Sequence, residues 1–478
     1  MLSEEESIRK IIENMAKAEN TADKLGYDKS TKKIKPMSSL GRDPDGVIEI
    51  TPEDLEFASR NPGNFAVIVV AAELIEKMAA GSNAVYFNCL DNGDVYNMIQ
   101  EKAPTTGVPG TIYRSYDQEK IHISNIGKVN DQVRIIIRKN DCFAKTSPND
   151  GPLNITGYVF RESEWKENPV SIVPVMSEIF SRTHGIIETD VFRKKRIGIV
   201  GLGSFGSTIA LELAKSGGMN FALMDHDRYE ICNVSRHVAG LPHTGRFKTK
   251  IIAQLIKERN PYANIRTFEE KVCWDNVEEM RGIVRWSDVV IICVDEKVPR
   301  IIFNRLCMEE GKVLIIAGAF RRAHGGQVLR IRPGKTPCYQ CFLMLLPEQA
   351  GDEEIAGLDQ AERLGYTDRP VPIEPGLSTD IAPISIMAAK IAIQELLKDT
   401  ETTLRSLDED LIAPWYLWLN RREKGTHYEN LEPMEFNVGG IHVLRWYGID
   451  LRRHPGCPVC GDFVGEIGRR YSLKKYED

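Results

Sequence analysis

The stretch RIGIVGLGSFG, residues 196–206, limits what this chain can fold into more than any other. RIGIV is a continuous apolar run, the pattern of a strand covered on both faces. It passes without a linker into Gly201-Leu202-Gly203-Ser204-Phe205-Gly206, a G-x-G-x-x-G that opens an apolar helix. The first two glycines permit a tight turn and close approach of backbone to a ligand. The third lets helix and strand pack closely, and the helix N-terminus attracts phosphate. Further strands are predicted at 221–224, 265–268, 289–294 and 313–317, with helices between them, including 249–258. This alternation predicts an α/β fold, a Rossmann-like doubly wound and mainly parallel sheet with right-handed crossovers. Asp225 ends the second strand, where a carboxylate would accept hydrogen bonds from ribose hydroxyls. On these features alone an NAD-dependent dehydrogenase fits equally well.

The rest of the chain divides around this block. Residues 1–46 predict a charged N-terminal helix and a polar linker, and 47–165 a smaller α+β domain. That domain has short β-rich pieces (VIEI, FAVIVV, AVYFNCL, KIHISNI, QVRIIIRK) and a helix over 71–80. Residues 166–478 form the α/β block, entered through a connector with a helical middle, VMSEIFSRTHGIIE. Within it, 348–376 is acidic and rich in Pro and Gly, the composition of a mobile loop, and 381–397 is a further helix. The net charge of −6 over 478 residues lacks the basic surplus of a dedicated nucleic-acid binder. The longest strongly apolar stretch, 65–75, is much shorter than the roughly 18 residues a spanning helix needs. The N-terminus is acidic and amphipathic, unlike a secretory peptide, so a cytoplasmic location is expected.

Charge placement beyond the second strand favours a nucleoside triphosphate over a dinucleotide. Asp225-His226-Asp227 leads into Cys232-Asn233-Val234-Ser235-Arg236-His237, and then Gly245-Arg246-Phe247-Lys248. Triphosphate chemistry needs cations to neutralise negative charge as bonds to phosphorus break. Asp295, at the end of VVIICVD, stands at a strand terminus where ligands of parallel sheets gather, and is placed to hold Mg²⁺.

With these residues in view, the chain resembles the ThiF, MoeB and HesA type of adenylyltransferase, which activates ubiquitin-like proteins. That group includes the molybdopterin-synthase and thiamine-pathway sulfur-carrier adenylyltransferases and the adenylation half of ubiquitin-activating enzymes. The resemblance covers about residues 178–461. The family pattern D-x-D, then N-x-x-R-Q, then G-x-x-K is kept here as Asp225, Asp227, Asn233, Arg236 and Lys248, with His237 in place of the usual Gln. The family's T-D-N becomes Val294-Asp295-Glu296, keeping the Asp and losing the Asn. Ser181-Arg182 resembles the family's R-Q arm without its Gln. By that resemblance Arg182 would reach the triphosphate from the partner subunit of a homodimer.

The ten cysteines are too sparse for a disulfide framework, and their spacing sorts them. Cys338-x-x-Cys341 and Cys457-x-x-Cys460 are two pairs with the spacing that lets two thiolates share one tetrahedral Zn²⁺. The resembled family carries four cysteines in the same place. A redox pair is the rival for either one taken singly. Cys293 and Cys307 read as core filler, while Cys232 and Cys273 are ambiguous. Thioester-forming relatives have a catalytic cysteine between the two pairs, and residues 342–456 contain none. In the N-terminal domain, His122 is the one histidine before residue 166, too few for the zinc site of a JAMM-type metalloprotease; Cys142 is a candidate thioester acceptor.

The resemblance thus implies an adenylyltransferase using ATP, Mg²⁺ and structural Zn²⁺. Its substrate would be the C-terminal carboxylate of a ubiquitin-like protein or a peptide. Gly201, Gly203, Ser204 and Gly206 would shape the phosphate turn, Asp225 and Asp227 would serve the nucleotide, and Asn233, Arg236, Lys248 and Arg182 would neutralise phosphate charge. Asp295 would ligate Mg²⁺. A homodimer, a downstream conjugating or sulfur-transfer protein, and no nucleic-acid or membrane partner are expected. An NAD-binding oxidoreductase and a catalytically inactive scaffold remain as alternatives.

Overall fold

The computed structural model describes residues 66–90, 95–98, 107–115, 123–138, 154–161, 163–168, 170–173, 175–345, 375–401, 404, 407–426, 428–431 and 440–462, with a two-residue antiparallel pair, Tyr27–Asp28 and Lys33–Ile34. The helix predicted near the N-terminus, the strand at 47–50, His122, Cys142, residues 348–374 of the acidic loop and residues 463–478 lie outside the described residues. Among the described residues no helix is long and apolar enough to cross a membrane.

The chain forms two compact units, Met1–Ile179 and Phe180–Asp478. Among the described residues the first holds an eight-stranded sheet: β1 (Val67–Ala71), β2 (Gly81–Leu90), β3 (Val95–Met98), β4 (Gly107–Ser115), β5 (Val133–Arg138), β6 (Asn154–Arg161), β7 (Glu164–Asn168) and β8 (Val170–Val173). Their order is β8-β1-β3-β2-β4-β5-β6-β7, with parallel pairs β8/β1, β1/β3 and β4/β5 among antiparallel ones. Alternate residues such as Ile68, Val70, Phe87, Ile112, Ile135 and Val159 point into one core. The helix expected over 71–80 is the short α1 (Ala72–Glu76), capped at Lys77, and the long strand β2 starts at Gly81, at φ +97°. Of KIHISNI, expected as a strand, the described residues 123–126 open with a 3₁₀ turn at Ile123–Asn125. Strand β7 straddles residue 165 and β8 lies in the segment expected to lead into the α/β block, and the compact units divide after residue 179.

In the second unit the apolar runs build the predicted α/β sheet. Its strands are β9 (Arg196–Val200), β10 (Asn220–Met224), β11 (Asn264–Phe268), β12 (Val289–Ile292), β13 (Val313–Ala319), β14 (Gly325–Ile331), β15 (Trp415–Leu419) and β16 (Trp446–Ile449). They lie in the order β11-β10-β9-β12-β13-β14-β15-β16. The first five are parallel, with Ile199 opposite Leu223 on one side and Ile291 on the other, and β14 to β16 continue antiparallel. Ile197, Ile199, Leu223, Ile291 and Ile315 face one apolar layer with helices α2 (Ser204–Lys215), α3 (Lys248–Arg259) and a long C-terminal helix, Ser378–Leu397. Val200, Met224, Val290, Ile292 and Ile316 face the other, with α4 (Val277–Trp286), α5 (Lys297–Glu309) and α6 (Tyr339–Leu345). The helix Ser378–Leu397 is α7. The strand order reverses between β9 and β12, which opens a crevice at their carboxyl ends.

One buried charge cluster ties α7 to the antiparallel half of the sheet. Arg330 on β14 is fully buried, 3.4 Å from the Glu395 carboxylate on α7, and donates to Gln394 Oε1 at 3.1 Å and the Ala413 carbonyl at 3.0 Å. Arg332 Nε donates to the same Glu395 oxygen at 2.8 Å. A guanidinium removed from water is tolerated only while its carboxylate stays. Glu395→Ala is therefore expected to lower the unfolding free energy of this unit by about 3 kcal/mol, measured by urea denaturation.

Candidate functional site

Each element of the crevice is placed by the close packing of the glycine turn. Gly201 adopts φ +84°, and a Cβ there would stand 2.8 Å from the Cys293 backbone, so side-chain-bearing residues are excluded. A Cβ on Gly206 would meet the Gly201 carbonyl oxygen at 1.8 Å, which makes the third glycine the condition for α2 to approach β9. Gly203 precedes α2 and has nothing within 4 Å of the position a Cβ would take. The turn therefore presents bare backbone and a helix N-terminus to open space.

This space is a cleft of about 190 Å³ lined by the turn and by the ends of β10, β11 and β12. Its polar lining comprises Asp225, His226 and Asp227 after β10, Glu270 and Lys271 after β11, Asp295 and Glu296 after β12, and Lys248 at the start of α3. Val200, Met224, Val272, Val294 and Pro299 supply apolar wall.

Asp225 is buried and serves the turn directly. Its Oδ2 accepts the Leu202 N–H at 2.6 Å and its Oδ1 accepts the Asp227 N–H at 2.8 Å, leaving a lone pair on each oxygen for further donors. Burial raises its pKa, against the lowering effect of Lys248 and these two bonds. Asp227 is shifted the other way. Burial pushes its carboxyl up, but the hydrogen bond and charge of Lys248, with His226 and Lys271, bring it below its ordinary value. Lys248 Nζ lies 2.7 Å from Asp227 Oδ2, and this pair keeps a nearly buried ammonium from standing uncompensated.

The remaining residues singled out in the sequence divide into those near the cleft and those away from it. Asp295 is exposed on the lining. Ser204 and Gly206 lie in the first turn of α2, behind the lining. Asn233 closes the turn 231–233, its Oδ1 accepting the Glu230 N–H at 2.9 Å, and is not on the lining. Arg236 is also off the lining, and its guanidinium reaches toward Gly376 just before α7, 3.9 Å from where a Cβ would stand. Arg182 is exposed in the 3₁₀ turn Ser181–Thr183, away from the lining. Lys271 and Glu270, by contrast, reach the cleft without having been singled out. Their signal was positional: they follow a strand whose carboxyl end faces the switch point.

The four paired cysteines converge. Cys338, Cys341 and Cys457 are buried, Cys460 is partly so, and their sulfur atoms lie within 4.8 Å of one another. Cys338 and Cys457 Sγ are 3.6 Å apart and Cys341 and Cys460 Sγ 3.3 Å. Four thiolates around zinc at about 2.3 Å would be spaced by about 3.8 Å, so the set fits a tetrahedral ion. The His454 and Val459 N–H groups point at Cys341 and Cys457 Sγ, at 3.4 and 3.5 Å, as donors to thiolate. Cys293 and Cys307 are buried filler, and burial pushes the Cys293 thiol up to about 12. Cys232 is exposed, and Cys273 is partly buried beside Asn276.

The ThiF family model matches residues 179–413. This segment is a ThiF-family domain. Ubiquitin-like modifier-activating enzyme 5 of Caenorhabditis elegans is 29% identical over 178 residues, 35% of this chain and 42% of that protein. Adenylyltransferase and sulfurtransferase UBA4 of Lodderomyces elongisporus is 30% identical over 159 residues, covering 33% and 34%. The chain thus spans less than half the length of these relatives. Among solved structures, E. coli MccB with ATP shares 18% identity over 57% of this chain and 68% of that one, at a TM-score of 0.41. The ThiF-family domain contains β9 to β14, the glycine turn and the whole cleft lining, together with one of the two cysteine pairs.

His237, where the family pattern has Gln, is buried against the turn. Its Nε2 lies 2.9 Å from the Leu202 carbonyl oxygen and its Nδ1 accepts the Ala239 N–H at 3.0 Å. Burial lowers its pKa from 6.5 to about 4. The unfolded chain therefore binds a proton in this range that the folded chain refuses. The stabilisation is complete above pH 6.5 and fades as pH falls towards 4, by about 3 kcal/mol in all. Unfolding free energies measured between pH 7.5 and 4.5 are expected to fall more steeply for the wild type than for His237→Gln.

Proposed function

We propose that the protein catalyses ATP-dependent adenylation of the C-terminal carboxylate of a ubiquitin-like protein or peptide. The observation that carries this reading is the cleft at the strand ends, where a bare glycine turn faces two lysines and three separate carboxylate-bearing loops. In the reaction a carboxylate oxygen of the substrate displaces pyrophosphate at the α-phosphorus of ATP. The product is an acyl-adenylate, and the broken bond is the one between the α-phosphorus and the bridging oxygen.

The chain's residues divide the work. Gly201 and Gly203 let backbone approach phosphate, and Asp225 offers its spare lone pairs to the ribose. Lys248 reaches the cleft already held by Asp227, and a triphosphate gives it a second anionic partner. Lys271 adds positive charge from the loop after β11. Preorganised cations of this kind stabilise charge developing on a leaving group without reorganising at the moment of reaction. Asp295, exposed on the lining after β12, would hold Mg²⁺. Arg236 would act from the side of α7, and Arg182 from the second subunit of a homodimer. Cys338, Cys341, Cys457 and Cys460 would hold Zn²⁺ as a staple between α6 and the C-terminal turn, in a reducing cytoplasm that keeps the thiols free.

The sequence between the cysteine pairs has no thiol, so we place the end of this chain's own chemistry at the adenylate. Delivery would pass to a conjugating or sulfur-transfer protein. The relatives' names support activation of a ubiquitin-like modifier, and the two lysines at the cleft disfavour an oxidoreductase.

ATP–pyrophosphate exchange with candidate small proteins or peptides tests the reading. Lys248→Ala is expected to lower exchange at least about tenfold, on the scale of about 3 kcal/mol for one preorganised donor. Unchanged exchange in that variant removes the mechanism. Elemental analysis is expected to return one zinc per chain, lost in Cys338→Ser together with a fall in melting temperature.

A further inference from the structure

Leu202, inside the glycine turn, is held through both of its main-chain polar groups. Its N–H donates to Asp225 and its carbonyl faces Nε2 of His237 at 2.9 Å. The His237 ring is buried and meets Tyr229 at a steep angle, with centroids 4.9 Å apart. Because Nδ1 accepts the Ala239 N–H, the ring proton belongs on Nε2, which donates it to the Leu202 carbonyl. A trans peptide directs its C=O and N–H to opposite sides. Fixing the Leu202 carbonyl against the buried imidazole therefore turns the Gly203 N–H away from it. Gly203 lines the cleft and has no neighbour where a side chain would be.

We propose that His237 is a positioning residue for a nucleotide's phosphates: by donating to the Leu202 carbonyl, it holds the Leu202–Gly203 peptide so that the Gly203 N–H is presented as a phosphate donor. The inference rests on the nucleotide-binding reading of the cleft. It assigns His237 the one-donor, one-acceptor pattern that a Gln amide also offers, which explains how imidazole can stand at this position. The role requires a neutral ring, since a second ring N–H would be set against the Ala239 N–H. The groups facing the ring are Lys248 at the start of α3, His243 in the turn 241–243, and the Tyr229 phenol, whose proton goes to the Ala239 carbonyl at 2.6 Å. Asp225 stands on the far side of Leu202. Burial, and then the charges of Lys248 and His243, favour the neutral form against the opposing pull of the Leu202 bond.

The test is calorimetric titration of the full chain at pH 7.5 with Mg²⁺ and an ATP analogue carrying methylene in place of the α,β-bridging oxygen. It is run at a temperature where circular dichroism shows every variant folded. His237→Gln is expected to bind within about twofold of wild type. His237→Phe, which keeps an aromatic ring beside Tyr229 and has no donor, is expected to bind at least about fivefold more weakly. Equal affinities for wild type and His237→Phe overturn the proposal and leave nucleotide binding standing. A wild-type chain that binds no analogue overturns the nucleotide reading and this inference with it. Nitrogen-15 shifts of the wild-type imidazole need no variant to fold. They are expected to show a neutral ring protonated at Nε2 at pH 6, and a ring protonated at Nδ1 or at both nitrogens overturns the proposal.

Discussion

The approach of Gly206 to the Gly201 carbonyl is the contact on which the second unit depends. It sets how near α2 can lie to β9, and so how much of the turn between them is bare backbone. Any Cβ at Gly206 would overlap that oxygen at 1.8 Å, and any at Gly201 would press on the end of β12. Two neighbouring strand ends are thus locked to one helix start by steric exclusion rather than by attraction. The apolar layers on both faces of the sheet then have fixed positions to fill, and the cleft is what remains at the one end where the strand order reverses.

Electrostatics inside that cleft follow from burial acting on a closely spaced set of charges. Asp225 and Asp227 are two residues apart and shifted in opposite directions, because burial outweighs the main-chain donors and Lys248 at Asp225, while at Asp227 the hydrogen bond and charge of Lys248 outweigh burial. Lys248 is the hinge of this arrangement. Nearly buried, it needs an anion at all times, and Asp227 supplies one at 2.7 Å. A site of this kind keeps its cation oriented without ligand, which is the condition for electrostatic stabilisation that costs no reorganisation.

What could be read from the sequence was local. RIGIVGLGSFG carries strand, turn and helix within eleven residues, so the motif and its packing were predictable together. The C-x-x-C pairs were legible for the same reason, and the fold brings their sulfurs within 4.8 Å. Lys271 was not legible, because it reaches the cleft through strand order and has no motif of its own. The first unit was least legible. Strand periodicity reports which side of a sheet a residue faces and says nothing about which strand lies alongside, so the alternation of parallel and antiparallel pairs from β8 to β7 had no local signal. KIHISNI reads as a strand by composition, yet its described part, Ile123–Asn125, is helical turn beside Arg134, whose Nη1 donates to the Ile123 carbonyl at 2.8 Å. Tertiary context overrides β propensity at such a short segment.

His237 shows where a family pattern and its physical content part company. By pattern, His for Gln is a departure. By hydrogen-bonding capacity it is close to neutral, because imidazole and carboxamide each offer a donor and an acceptor a short distance apart. The difference appears only on protonation, since the amide never titrates and the ring does. Burial beside Lys248 answers that difference by keeping the ring neutral well below its ordinary range. The Lys248 ammonium therefore adds to burial in disfavouring a doubly protonated ring, the state that would set a second ring N–H against the Ala239 N–H.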